Sequence, residues 1–179
     1  MLSLGLQFIN KPILSLRTGT QLGKIREVIV NPDNLKIEGW YVDDDFHHET
    51  RILLSQDVRD IIPQGFVVND QDSLTSPNEL VRLRQLLDLR FEVIGKPVKT
   101  VAKKRLGKVT DYAFEKDAFF IQKLYVGQSI VTSFSGGSAI VDRTQIVEIT
   151  DREILVNDAT VPGKVMAMPI ADSEPAPAS

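Results

Sequence analysis

The chain has no cysteine, and its 179 residues include only two histidines and one tryptophan. Without cysteine there is no disulfide, no thiol nucleophile and no thiolate metal site, and the lack is in keeping with a reducing compartment. Long hydrophobic runs are missing too: nothing approaches the ~20 apolar residues that a membrane-spanning helix needs. The start, Met1-Leu2-Ser3-Leu4-Gly5-Leu6, has neither the charged opening nor the extended apolar core of a secretory signal. Strong helical periodicity is scarce and confined to one segment near the middle.

What is present is the composition of a soluble globular protein, 42% hydrophobic and 25% charged. The net charge of −3 conceals an asymmetry. Residues 82–108 carry nine basic side chains against Asp88 and Glu92, a local +7 that leaves −10 for the rest. Such a centre either meets an anionic partner or is a solvated helix face followed by a Lys-rich turn.

The dominant feature is a duplication. Leu22-Gly23-Lys24-Ile25 recurs as Leu106-Gly107-Lys108-Val109, an offset of 84 residues. At the same offset Asp33 meets Asp117, Ile37 meets Ile121, and Tyr41-Val42 meets Tyr125-Val126. The match resumes at an offset of 88, with Ile52 opposite Ile140, Val58 opposite Ile146, Ile61 opposite Ile149 and Val68-Asn69-Asp70 opposite Val156-Asn157-Asp158. The four extra residues fall in one loop, Gly127 to Ser138, where length change is tolerated. A repeat of this kind decides the architecture before any local propensity does. Two units of about 60 to 70 residues are each marginal alone, so they are expected to lean on one another or on a partner.

Within each unit the pattern is β. Residues 1–11 read as an irregular lead-in and Ile13–Leu16 as a first strand. Ile25–Val30 is β-branched, and Asn31-Pro32-Asp33-Asn34 is a turn in which proline presets φ and Asn and Asp accept turn hydrogen bonds. Leu35, Ile37 and Gly39 alternate with Lys36 and Glu38 up to Trp40-Tyr41, of which one side chain should point inward. Arg51–Leu54, Val58–Ile62 and Phe66–Val68 complete the unit. Short strands at this spacing, without helices to cover a parallel sheet, predict a mainly β chain of two small antiparallel β-barrels. The boundaries read as 8–72 and 93–168, with a helical linker over 73–92 and a disordered tail over 169–179. In the linker, Ser76-Pro77-Asn78-Glu79 is a capping-box sequence, and Leu80, Leu83, Leu86 and Leu87 form one stripe that must bury against something. Lys164–Met168 reads as one further extended piece.

Candidate chemistry is thin. Gly19-Thr20-Gln21-Leu22-Gly23-Lys24-Ile25 has three residues between its glycines and Ile after Lys, where a phosphate-binding loop needs four and a Ser or Thr. His47 and His48 lie among Asp43, Asp44, Asp45 and Glu49, but adjacent residues of a strand point to opposite faces. That loop reads as a solvated acidic hairpin tip rather than a metal centre. Ser133, Ser135 and Ser138 have no histidine nearby and no strand–turn–helix context for a nucleophile. No catalytic, cofactor or metal residue is expected, and the chain is read as a non-enzyme. The candidate contact residues are the aromatics Trp40, Phe46 and Phe134, with Phe119 and Phe120 as further exposed candidates, and the basic run Lys103-Lys104-Arg105.

Taken together, Gly19 with Leu22-Gly23-Lys24-Ile25, then Arg51-Ile52-Leu53-Leu54, then Val67-Val68 resembles the PRC-barrel family. That family includes the cytoplasmic domain of the photosynthetic reaction-centre H subunit and the C-terminal domain of the ribosome maturation factor RimM. The second copy keeps Leu106-Gly107-Lys108-Val109 but has Ala139 opposite Arg51 and Lys104 in place of the turn glycine. The resemblance implies two small PRC-barrel-like β-barrels joined by one amphipathic helix, binding macromolecules without a catalytic site. It points to a cytoplasmic adaptor, peripheral to a membrane, that assists assembly or regulation of a larger complex. Tandem copies resemble proteins associated with cyanobacteria, hence a photosynthetic complex. The RimM side implies the alternative, RNA or the ribosome, with Lys99, Lys103, Lys104, Arg105 and Lys108 on phosphates. A pI of 5.4 and the lack of interleaved aromatic and basic residues weigh against it. No DNA partner is expected.

Overall fold

The computed structural model describes residues 1–127 and 139–157. It is mainly β. The chain opens with strand β1 (Leu2–Leu4), followed by β2 (Pro12–Ser15), β3 (Gln21–Asn31), β4 (Lys36–Asp44), β5 (Thr50–Leu54), β6 (Val58–Ile62), β7 (Gly65–Val68) and β8 (Leu74–Thr75). Helix α1 (Arg84–Leu89) follows, then β9 (Pro97–Thr100), β10 (Arg105–Glu115), β11 (Ile121–Gly127), β12 (Ala139–Asp142), β13 (Ile146–Ile149) and β14 (Ile154–Val156). There are two seven-stranded sheets. One has the order β6-β7-β2-β3-β4-β5-β8; the other has β12-β11-β10-β9-β14-β13, with β1 added to β10. Neither sheet closes on itself in its strand order.

The duplication extends to hydrogen-bond detail. β2 pairs parallel to β7 through Ile13 and Phe66, and β9 pairs parallel to β14 through Val98 and Ile154. β3 shifts register against β4 after Ile25 and again after Ile29; β10 does so against β11 after Val109 and Ala113, the same positions 84 residues on. The Asn10 N–H donates to Ile25 O at 2.7 Å, and the Gly95 N–H donates to Val109 O at 2.8 Å. Two-residue periodicity explains the inward set. Ile25, Ile37 and Val42 are fully buried in one copy, and Ile121, Leu124 and Val126 in the other.

The halves share one core, and they meet through the same element. At the tip of the β3–β4 hairpin the Ile37 N–H donates to Phe119 O at 2.7 Å. At the tip of the β10–β11 hairpin the Ile121 N–H donates to Leu35 O at 3.0 Å. An offset of 84 exchanges these two bonds, so the contact is isologous, as across the two-fold axis of a dimer. Leu35 and Phe119 both sit at φ 57°, a conformation that costs bulky residues energy and is held here by the reciprocal bonds. Behind the tips runs an aromatic chain: Trp40 meets Phe66 at 4.7 Å and Phe119 at 5.6 Å, and Phe8 meets Phe66 at 5.3 Å and Phe114 at 5.7 Å. Each edge-to-face pair adds about 0.5–1.5 kcal/mol beyond area burial.

Three local expectations are corrected. Residues 1–11 are not an irregular lead-in, because β1 pairs with β10 (Leu2 opposite Glu115, Leu4 opposite Ala113) and Leu6–Phe8 forms a 3-10 turn. The linker is not one capped helix. Pro77–Glu79 and Val81–Leu83 are 3-10 turns, Ser76 makes no side-chain cap, and only six residues are α-helical. Leu80 at ψ 66° breaks the run, and so short a helix depends on docking rather than on its own propensity. The stripe does dock: Leu80, Leu83, Leu86 and Leu87 are half-buried while Val81 and Leu89 are exposed. A capping box occurs instead at Asp142, whose carboxylate accepts from the Thr144 N–H at 3.1 Å while Gln145 accepts from the Asp142 N–H at 2.7 Å. Third, the second-copy residue that takes the place of Gly19 is Lys103 rather than Lys104: Gly19 has φ 70° and Lys103 φ 65°. The Lys164–Met168 piece, the 169–179 tail and the Thr132–Gly137 loop lie outside the described residues.

Candidate functional site

The hairpin joining β4 to β5 is built around one carboxylate. Asp44 ends β4, and its side chain is fully buried. The Phe46 N–H donates to Oδ1 at 2.7 Å and the His47 N–H at 3.3 Å; Gln71 Nε2 donates to Oδ2 at 3.0 Å, and His47 Nδ1 lies 2.8 Å from Oδ2. Arg51 Nε stands 3.8 Å from the same oxygen. Burial alone would raise the Asp44 pKa, but the His47 ring and the Phe46 and His47 N–H bonds outweigh it and hold the carboxyl below its usual range. The tip is exposed at Asp43, Asp45, His47, His48 and Glu49, as a solvated acidic loop would be, and Asp44 alone is withdrawn from solvent. A short Asp suits this place because one oxygen, Oδ1, reaches two successive N–H groups of its own turn, the Asx pattern, and leaves Oδ2 to Gln71 and His47. The Gln21 amide also donates to Asp45 at 2.6 Å, and His48 takes φ 53°.

This scaffold presents Phe46 to solvent, 58% exposed, beside a shallow cleft of about 580 Å³ lined by Arg17, Thr18, Leu22, His47 and Asp70. A large apolar side chain held outward by a rigid polar turn is suited to inserting into an apolar pocket of another protein. His47, the ring next to it, is engaged with Asp44, and among the described residues no three His, Asp or Glu side chains converge as metal ligands would.

The other candidate residues are dispersed. Trp40 is 2% exposed and belongs to the aromatic chain, so of the pair Trp40-Tyr41 it is the inward one and is not available to a partner. Phe119 is partly buried against the core, and Phe120 lies under the Arg143 guanidinium at 4.6 Å. Lys103, Lys104 and Arg105 are exposed on the β9–β10 turn. Part of the basic centre is internally compensated: Lys99 pairs with Glu153, and Lys96 donates to Asp151 O at 2.8 Å while covering the Phe91 ring. Phe134 lies outside the described residues.

A second cleft, of about 300 Å³, runs between β3 and the linker and went unnoticed in the sequence. Arg26, Val28, Val30, Tyr41, Leu86 and Phe91 are among its walls. Burial raises the Tyr41 phenol, with Glu27 adding to the rise and Arg90 and Arg26 opposing it. Only the three-dimensional pairing of β3 creates this cleft, so no motif signals it.

The fold and these surfaces define a class: a fused duplication of a six-strand β unit, with its chemistry on loops and one sheet edge. No protein-family model matches the chain, and no curated protein matches it. Among the described residues no helix is long and apolar enough to cross a membrane.

Proposed function

We propose that the chain is a non-catalytic interaction module that helps assemble or regulate a larger protein complex. Its halves are PRC-type β-barrels whose ladders are left open. The reading draws on the resemblance of the Leu-Gly-Lys turns to that family, on the parallel first-to-last strand pairing in each half, and on the single shared core. The observation that carries it is Phe46, exposed on a turn whose carboxylate, imidazole and amide groups are spent on holding the turn. Polar groups committed in this way organise a contact surface rather than a reaction. The resemblance makes a photosynthetic membrane complex, met from the cytoplasmic side, the first partner to examine.

The test is a cross-linked pull-down of the tagged chain from native lysate, with and without RNase, alongside Phe46→Ser. Recovery of one protein complex that survives RNase and is lost in Phe46→Ser, with unchanged thermal stability, supports the module. Turnover of a substrate that depends on His47 would sink it. The exposed run Lys103, Lys104 and Arg105 favours a second reading, RNA or ribosome binding. It predicts RNase-sensitive recovery, and an affinity that falls steeply with salt and is lost when the three are changed to Glu.

A further inference from the structure

The two long central strands are not treated alike along one edge. β10 is paired over its first half with β9 (Pro97 opposite Lys108) and over its last residues, on the same edge, with β1 (Leu4 opposite Ala113, Leu2 opposite Glu115). β3 is paired over its first half with β2 (Pro12 opposite Lys24), but its last residues, Arg26–Asn31, have β4 as their only strand partner among the described residues. The ≈ 300 Å³ cleft lies along that free stretch. No residue of 84–92 donates to or accepts from the β3 backbone there.

The chain contains a counterpart of β1 for this edge. Leu2-Ser3-Leu4-Gly5-Leu6 and Lys11-Pro12 align with Leu87-Asp88-Leu89-Arg90-Phe91 and Lys96-Pro97 at an offset of 85. Leu86 and Phe91 do reach the β3 edge, as the pseudo-two-fold requires. Yet Leu87–Leu89 finishes a helix, and Arg90 turns away at φ 46°. The reason lies in the middle residue. Ser3 faces inward, 9% exposed, opposite the buried Phe114. Asp88 in the same register would place a carboxylate against Val30, 1% exposed, with no cation to pair it in the core. Burial of such a charge is strongly unfavourable. The linker therefore stays helical and leaves the edge free.

We propose that the β3 edge from Val28 to Asn31 is a strand-addition site for an extended segment of a partner protein with the pattern apolar–small neutral–apolar. The segment runs antiparallel to β3, its small residue opposite Val30, as Ser3 lies opposite Phe114. Backbone hydrogen bonds hold it, and the buried position opposite Val30 rejects charge. This rests on the protein-binding reading and adds a contact separate from Phe46.

The probe is the peptide Met-Leu-Ser-Leu-Gly-Leu-Gln, copied from residues 1–7, titrated into the full chain while amide exchange is followed by NMR. Expected is saturable binding with slowed exchange at Val28–Asn31. The peptide carrying Ser3→Asp should bind at least about tenfold more weakly, and one N-methylated at that serine should not bind. In the full chain, Asp88→Ser should weaken peptide binding, because its own Leu87–Leu89 then competes. The proposal is overturned by no binding at millimolar peptide, by protection confined to Ala113–Glu115 (exchange with β1), by equal affinity of the Asp peptide, or by dimerisation through swapped β1 strands. If Phe46-dependent capture of a complex persists while the β3 edge ignores the peptide, this site is refuted and the interaction module stands.

Discussion

The two halves were built from one pattern, and where they differ is more instructive than where they agree. They agree wherever the backbone ladder and the inward residues set the outcome: the parallel pairing of first and last strands, the two register shifts, the positive φ before the long strand. They differ wherever one side chain changes the cost of burial. Gly5 lets β1 lie against the Tyr112 ring, 2.0 Å from where a Cβ would stand, while its counterpart Arg90 ends a helix. Asp44 organises the first hairpin tip, and an offset of 84 puts Gln128 at that place in the second copy. A duplication therefore conserves topology and frees loops and edges to diverge, because a ladder is cooperative and a surface turn is not.

The comparison can be broken most severely at the shared aromatic chain. Trp40→Ala removes a ring from the contacts to Phe66 and Phe119 and is expected to cost about 3–5 kcal/mol. Because the core is common, both halves should lose stability in one transition. Urea melts followed separately by fluorescence and by amide signals of β10 would contradict this if the second half melted at its wild-type midpoint. Next in size is Gly5→Ala. Its methyl collides with the Tyr112 ring, so β1 should lift from β10 at a cost of about 1–3 kcal/mol, read as lost exchange protection at Ala113–Glu115. Protection left intact would mean that the ring gives way instead.

Asp44→Asn probes the first hairpin tip. It exchanges a charged acceptor for a neutral one among the same partners, and about 1–2 kcal/mol should be lost at neutral pH. The pH dependence carries a sign. Asp44 is held below its unfolded value, near 3.9, so its contribution is complete well above that value and disappears as pH falls through the folded one. Wild type should thus lose its advantage over Asp44→Asn below about pH 4. An advantage that grew with acidity would refute the assignment. The smallest effect is a gain. Lys103→Gly places glycine where φ is 65°, as in the first copy, and should stabilise by about 0.5–1 kcal/mol; a lower melting temperature would show that the lysine side chain earns its place by a contact.

Much of this was legible in the sequence. The offsets of 84 and 88, the alternation through Ile37 to Val42 and the half-buried leucine stripe follow from periodicity, which reports which side of an element is wet. That one of Trp40-Tyr41 points inward follows too, but that it is Trp40, expected as a contact residue, came only with the structure. The linker helix was overestimated, since Ser76-Pro77-Asn78-Glu79 offers a cap but the chain turns again at Leu80. Burial of Asp44 is not legible in the sequence, because its three acidic neighbours Asp43, Asp45 and Glu49, all exposed, disguise the one whose reach fits its own turn.

The residues by themselves determined that the molecule is β, that it is doubled, and which side chains enter its interior. Tertiary structure alone decided that the copies meet through reciprocal bonds at Leu35 and Phe119, that the first strand crosses to the second sheet, and that the matching edge of β3 has no strand on it among the described residues. Local pattern encodes burial, which each residue meets separately. Pairing between distant strands depends on which edges the folded chain brings together and on whether a single side chain, Ser3 or Asp88, can be buried there.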